Sequence, residues 1–435
     1  MQTEQSRISK GTKMNRTHHM VGVSAIAAAA LVLTGCSAGG DAPSDGPVEI
    51  VFWHGYTEAD GDVLNGIVDA YNESQDEVHI TTEINTWDVI DDTLLPALSS
   101  KTGPDLVAMP AERFPVYAAR GAFVSLADFY ADPANNASDV VAGAQAMTVV
   151  DGTSYAVPTG FVPLAIYYDK AAFADAGITE VPADWDGWIE AATQLTVDED
   201  GDGTPERYGM VLPDHATVGN GVWPSLFWGG GGDIVADGAA VIDSPENLAT
   251  LEFWHDAVVN GAVSPTGVDG IEADSVFSSG RAAMTFGGPW MTFIAADNGI
   301  DYGIAPIPAG PSGQAASAIG LTMSVTDQGD EAKIEAAQKF LAYFFTEENQ
   351  VAWSLGSGWP PLRTSIPADA VAENPTVATL SQYTTFTRPL LPGVVNSTDV
   401  LQAIDELTQR AMAGDDIASL LAEAQSTVEA ALVDQ

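Results

Sequence analysis

Between Val48 and Met109 the chain alternates between two hydrophobic periods, and that alternation narrows what it can fold into. Glu49-Ile50-Val51-Phe52-Trp53 is a short apolar run closed by His54-Gly55-Tyr56. From about Asp60, the residues Leu64, Ile67, Val68 and Tyr71 recur at i, i+3, i+4 and i+7, one face of a helix. Val78 to Ile84 alternates as a second strand and ends at Asn85-Thr86-Trp87. Another helical stretch precedes Gly103-Pro104-Asp105, which leads into the strand Leu106-Val107-Ala108-Met109. Strand, helix, strand, helix, strand is the pattern of an α/β domain with a largely parallel sheet. Ligands of such sheets bind beyond the strand carboxyl ends. Those ends carry Trp53-His54-Gly55-Tyr56, Trp87 and Pro110-Ala111-Glu112-Arg113.

Downstream, Tyr155 to Tyr168 is a long extended stretch punctuated by Pro and Gly. Trp185, Trp188 and Ile189 indicate a helix, and a further one spans Ser244 to Asn260. Elements also run through Gly209 to Leu212 and Asn220 to Gly232. Helices dominate the end, with core-facing stripes at Ile334, Ala337, Leu341, Phe344 and Phe345, at Leu401, Ile404 and Leu407, and at Ile417, Leu420, Leu421 and Ala424. No internal repeat or heptad run interrupts this order.

The start of the chain reads differently. Arg16, the apolar run Val21 to Leu33 and the small residues that follow form a secretory signal peptide over residues 1–35. Met14 is an alternative start, with Met1 to Lys13 a short extension of the basic region. Leu33-Thr34-Gly35-Cys36 ends the run, and Cys36 is the only cysteine of the 435 residues. The segment resembles the lipobox of bacterial lipoproteins, which implies cleavage before Cys36 and a lipid on its thiol. Residues 36–47, rich in Gly, Pro and Ser, then read as a flexible tether. Without residues 1–35 the chain keeps 11 basic and 59 acidic side chains, about −48. That charge excludes nucleic acid as a partner and argues against electrostatic attachment to anionic lipid, leaving the lipid on Cys36 as the anchor. With no other cysteine there are no disulfides, and stability must come from a core large enough for two domains.

Phe277-Ser278-Ser279-Gly280-Arg281-Ala282-Ala283-Met284-Thr285-Phe286-Gly287-Gly288-Pro289-Trp290 carries a second resemblance. Together with Gly103-Pro104-Asp105-Leu106 and Val157 to Lys170, it is similar to the extracellular sugar-binding proteins of ATP-binding-cassette importers, the maltose-binding-protein-like group. The resemblance runs from about Val48 to the C-terminal helices. It implies a two-lobed α/β fold of the periplasmic-binding-protein type II, each lobe a mostly parallel sheet flanked by helices, with a ligand cleft between them. The implied crossings lie at Val157 to Ala165, at Phe286 to Trp290 and near Ile319-Gly320-Leu321. The first lobe is then 48–157 plus 286–320, and the second 158–285 plus 321–435. The residues alone see extended Gly/Pro segments where hinges fit, and do not derive three crossings.

A sugar pocket combines flat aromatic faces for the C–H patches of the rings with planar polar groups for the hydroxyls. Trp53, Tyr56, Trp87, Phe161, Trp223, Trp228, Trp290 and Trp359 sit at expected strand ends or in Gly/Pro-rich loops, whereas Trp185, Trp188 and Trp254 lie on helical patterns and read as core. By resemblance, Trp290 matches the family's binding-site tryptophan, Trp223-Pro224 a segment lining the cleft, and Glu112-Arg113 an acidic-basic pair that binds sugar hydroxyls. His54 and Glu58 fall where the first strand's loop contributes polar groups. The family's cleft glutamate in the first crossing is absent, Val162 or a neighbour standing in its place beside the apolar Phe161.

Asp198, Asp200 and Asp202 occupy positions 1, 3 and 5 of a calcium-type loop with Gly203 at 6, and Thr204 and Glu206 offer further oxygens. Position 12 is Gly209, so the usual bidentate glutamate is missing; calcium here would be structural, the alternative being a solvated acidic turn. No phosphate loop, His-Glu-x-x-His pair or Gly-x-Ser-x-Gly elbow occurs, and no pair among the 60 acidic residues is singled out for glycosidase chemistry.

The expectation is therefore a monomeric, lipid-anchored binding protein on the outer face of the membrane. It takes a carbohydrate, needs no cofactor, catalyses nothing, and hands its ligand to permease subunits of an importer. The rivals are a secreted carbohydrate-active lipoprotein enzyme and the same fold binding a polyamine, metal chelate or peptide. Cys36→Ser is expected to abolish membrane retention while leaving ligand binding intact. Fractionation of cells expressing the variant checks this, and undiminished membrane association would remove the lipid anchor.

Overall fold

Period-two burial shapes the first strand, β1 (Val48–His54): Ile50, Phe52 and His54 turn inward while Glu49, Val51 and Trp53 do not. The computed structural model describes residues 46–57, 59–216 and 219–433. The signal segment 1–35, Cys36 and most of the tether expected at 36–47 lie outside the described residues, as does Glu58.

The expected order at the start of the domain is present as α1 (Ala59–Ser74), β2 (Val78–Ile84), α2 (Trp87–Ser99) and β3 (Leu106–Pro110). The strand β1 pairs in parallel with both β2 and β3. The extended stretch 155–168 divides into β4 (Val157–Pro163) and β5 (Ala165–Asp169). Then follow α3 (Trp185–Leu195), α4 (Gly219–Gly230) and α5 (Pro245–His255). The helix expected over 244–260 is capped by Ser244, whose side chain accepts from Asn247 N, and widens into a looser turn at Asp256–Asn260. Next come α6 (Gly270–Ser278), β6 (Met284–Gly287), α7 (Trp290–Asp297), β7 (Tyr302–Pro306) and β8 (Ala316–Val325). The chain ends with α8 (Glu331–Phe344), α9 (Glu347–Ser357), β9 (Thr387–Pro389), α10 (Ser397–Met412) and α11 (Ile417–Val433).

Two sheets result. The first has the order β9-β8-β3-β1-β2, with β4 also on β8. Here β8 runs antiparallel to β3 and β4 and parallel to β9. The second, β6-β5-β7, is antiparallel in both pairings. This corrects the expectation of a mostly parallel sheet on each side. The strands β6 and β7 meet β5 after more than a hundred intervening residues and flank it, parallel to each other across the helix α7 that joins them.

Two main apolar clusters follow the two sheets. Phe52, Ile67, Leu106, Phe340 and Trp353 belong to the first, and Trp188, Trp223, Trp254, Phe286 and Leu407 to the second. The packing departs from the expected division into 48–157 plus 286–320 and 158–285 plus 321–435. The helices α8 and α9 belong to the first cluster through Phe340, Phe344 and Trp353, whereas β7 pairs into the second sheet. The reason is long-range: Lys333 of α8 reaches Asp105 at 2.9 Å, and Asp105 also accepts from Val51 N at 3.0 Å. A nearly buried carboxylate therefore ties α8 to β1 and to the entry of β3.

Candidate functional site

Three loops follow the carboxyl ends of the parallel strands: Gly55-Tyr56-Thr57 after β1, Thr86-Trp87 after β2 and Pro110 to Arg113 after β3. They form one wall of a cavity of about 540 Å³. The opposite wall is α6, with Ile271, Asp274, Ser275 and Ser278, joined by Trp290 and Ile294 of α7. Residues Ser317 to Leu321 of β8 run along its base, and Asp60, Leu164, Gly221, Trp359 and Leu390 also line it. The volume lies within the usual range of small-molecule sites, and such sites gather at the carboxyl ends of parallel strands.

The cavity thus brings together Tyr56, Trp87, Glu112, Arg113, Trp290 and Trp359 of the residues nominated from the sequence. Three of its tryptophans rest against glycine. A Cβ on Gly55 would stand 2.4 Å from the Trp87 indole, one on Gly160 2.5 Å from Trp359, and one on Gly288 2.3 Å from Trp290. Only the missing side chain lets each ring lie against backbone. The ring of Tyr56 meets Trp87 edge-on at 5.3 Å, and its hydroxyl shares a 2.6 Å hydrogen bond with Thr159. Trp290 donates its indole N–H to Asp274 Oδ2 at 3.1 Å.

The other nominated residues stand elsewhere. His54 shares the inward phase of Ile50 and Phe52. It is buried, and its Nε2 lies 3.4 Å from Asn65 Oδ1. Burial holds its pKa below the ordinary value, only partly offset by that hydrogen bond, so the ring is neutral. Trp53 points to the other face of β1 and donates to Glu83 at 2.7 Å. Phe161 is buried against Gly143. Trp223 is fully buried and donates to the Pro213 carbonyl at 3.0 Å. It is α4's Gly221 that lines the cavity, and residues two apart on a helix face opposite ways. Trp228 lies in a second depression with Asp233, Glu246 and Arg388, the guanidinium 5.4 Å from its ring centre. The core assignments of Trp185, Trp188 and Trp254 agree with their burial.

Charge on the wall is mostly negative. Asp60, Glu112 and Asp274 line the cavity with Arg113, which is ion-paired to Asp91. Burial pushes the Glu112 carboxyl up, against the pull of Arg113. Burial raises the Asp274 carboxyl to about 7, with the Trp290 N–H opposing it and Asp269 adding to it. Of α6, only its last two residues, Phe277 and Ser278, were singled out in the sequence, as the start of the string that ends at Trp290, and Asp274 and Ser275 were not nominated. The signal was its spacing: Asp274, Ser275 and Ser278 share one helical face directly ahead of the Gly280-Arg281 string.

In the acidic loop, Asp198, Asp200 and Glu206 each place an oxygen within 4.8 Å of the others. Asp202 is not of that group and accepts from Thr204 N at 2.8 Å. Asp198 accepts from Gly201 N at 2.8 Å and Gly203 N at 3.0 Å, so the loop is wound around its first carboxylate.

The fold is that of the type II periplasmic binding proteins. A binding protein for cyclic α-maltosyl-1,6-maltose from Arthrobacter globiformis superposes with a TM-score of 0.75 at 25% identity, over 90% of this chain and 100% of that one. Residues 66–379 match the bacterial extracellular solute-binding proteins, and the chain belongs to that family. It is 26% identical over 337 residues to the diacetylchitobiose-binding protein of Streptomyces coelicolor, covering 74% of this chain and 75% of that protein. It is 25% identical over 334 residues to the arabinooligosaccharide-binding protein of Halalkalibacterium halodurans, covering 73% and 72%.

Gly55→Ala is expected to push Trp87 off the wall and weaken ligand binding about tenfold, the order of effect of losing part of an aromatic contact. Titration of the variant beside its melting curve checks this; unchanged affinity would show that Trp87 does not need that seat.

Proposed function

We propose that this protein captures an oligosaccharide outside the cell, held at the membrane by lipid on Cys36, and delivers it to the permease of an ATP-binding-cassette importer. The observation that carries this reading is the cavity whose lining combines Tyr56, Trp87, Trp290 and Trp359 with Asp60, Glu112 and Asp274. Indole faces suit the C–H patches of sugar rings, and carboxylates suit their hydroxyls. Relatives that carry the names of oligosaccharide-binding proteins support the same ligand class. In this reading the sugar settles against the loops after β1, β2 and β3. Contact with α6 and α7 then favours a closed form, so that binding energy shifts the population without covalent chemistry.

A thermal-shift screen over mono- and oligosaccharides, with polyamines and peptides alongside, tests the ligand class, since a ligand of the folded state raises the midpoint. Sugars should raise it and be recovered intact. Hydrolysed sugar would turn the reading towards an enzyme, and a response to polyamine or peptide alone would change the ligand. With the sugar identified, Trp290→Ala should cost about 1–3 kcal/mol of binding, roughly 5–150-fold, with little loss of stability. Trp254→Ala, fully buried, should instead cost about 3–5 kcal/mol of stability. Calorimetric titration and melting curves of both variants separate the roles.

The loop 198–206 takes a structural calcium in the same reading, held by Asp198, Asp200 and Glu206. Calcium should raise the melting midpoint of chelator-treated protein, and Asp198→Asn with Asp200→Asn should remove the response. An unchanged midpoint on calcium addition would make the loop a turn only.

A further inference from the structure

The wall formed by α6 carries one charged side chain, Asp274, among the cavity-lining residues of that helix. As a residue Asp274 is partly exposed, but its Oδ1 is sealed from solvent and has no hydrogen-bond partner among the described residues. Its Oδ2 is engaged by the Trp290 indole N–H at 3.1 Å. A buried acceptor with no partner is costly, and a ligand donor is the natural way to satisfy one that sits in a cavity wall. The terminal torsion of an aspartate is soft, so a modest turn brings Oδ1 to the cavity without moving α6. Around it, the charged residues lining the cavity are Asp60, Glu112 and Arg113, and Arg113 is ion-paired to Asp91.

We propose that Asp274 selects uncharged, hydroxyl-bearing sugars and rejects acidic ones, accepting a ligand hydroxyl on Oδ1 while Oδ2 holds Trp290. This rests on the sugar-capture reading above and names the class of sugar. A hydroxyl satisfies the orphaned oxygen as a neutral donor. A uronate or phosphate group brings a negative charge beside Asp60, Glu112 and Asp274 in a site where charges are less screened than in water.

The same contact makes capture depend on pH. Burial is the main reason the Asp274 carboxyl titrates near 7, with Asp269 one turn earlier in support. Of the elements packed against α6, β6 contributes no ionisable side chain, and α7 contributes the Trp290 N–H and, at its far, exposed end, Asp297. The Tyr167 phenol of β5, pushed up by burial, stays neutral. A ligand hydroxyl on Oδ1 favours the ionised carboxylate, whereas the proton competes for that oxygen below pH 7. Affinity therefore rises with pH through 7 and levels off above it. With a group titrating at about 7 in the free protein, the dissociation constant falls about tenfold from pH 6 to pH 8.

The test is calorimetric titration at pH 6 and pH 8 with neutral malto-, chito- and arabino-oligosaccharides and their uronic-acid counterparts. It compares wild type, Asp274→Asn and Glu112→Gln. The wild type should bind a neutral sugar about tenfold more tightly at pH 8 and its acidic counterpart at least about tenfold more weakly than the neutral one. Asp274→Asn should lose the pH dependence and narrow the discrimination, while Glu112→Gln keeps the pH dependence. Equal or tighter binding of the acidic sugar, or a wild-type pH profile in Asp274→Asn, overturns the role of Asp274 and leaves sugar capture standing. If no sugar binds the wild type, sugar capture falls and this inference with it. The wild-type comparisons stand even if a variant fails to fold.

Discussion

The structure depends on the hydrogen-bond ladder of β8. Residues Leu321 to Val325 pair with β3 on one edge while Ala318 to Met323 pair with β4 on the other, and Ala316 to Ala318 pair with β9. One strand thus joins the parallel core of β1, β2 and β3 to the segment from which the chain passes into the second sheet. Its first part, Ser317 to Leu321, is also the base of the cavity. Backbone pairing is obligatory for buried peptide groups, so the base is held by every neighbour that needs its hydrogen bonds. The register break between Leu321 and Thr322 falls where β8 leaves the cavity.

On that rigid base the aromatic walls are set by what is absent. Gly55, Gly160 and Gly288 give up a side chain so that Trp87, Trp359 and Trp290 can approach the backbone. An indole pressed against a peptide plane has few alternative rotamers, so the rings lose little freedom when a ligand arrives. The polar groups follow a different logic. Glu112 and Asp274 are buried enough to be raised above ordinary carboxyls, which a folded protein tolerates where a site needs those groups.

The α/β character was legible in the first sixty residues of the domain because amphipathic periodicity is a local property, and Leu64, Ile67, Val68 and Tyr71 display it within two turns. Parts of the site were legible for the same reason: Trp87 and Glu112-Arg113 stand at strand ends that periodicity alone locates. His54 was misread although the needed signal was present, since its phase with Ile50 and Phe52 turns it inward. Trp223 was misread because a Gly- and Pro-containing stretch looks like a loop, whereas tertiary packing makes it the helix α4 with Trp223 on the buried face. The face of α6 was missed because aspartate and serine on a helix look solvated until another wall stands opposite them.

The sequence by itself determined the element order from β1 to β3, the apolar faces of α1, α8, α10 and α11, the membership signalled by the Gly280 to Trp290 string, and the acidic loop at 198–206. All of these are written in neighbours within a dozen residues. Only the tertiary structure decided that β6 and β7 run antiparallel to β5, that α8 and α9 join the first core through Phe340, Trp353 and the Lys333 to Asp105 contact, and that α6 faces the strand-end loops. Those outcomes pair residues more than a hundred positions apart. The preference for one partner over another is then fixed by the sum of burial and hydrogen bonding over the whole domain, which no local spacing encodes.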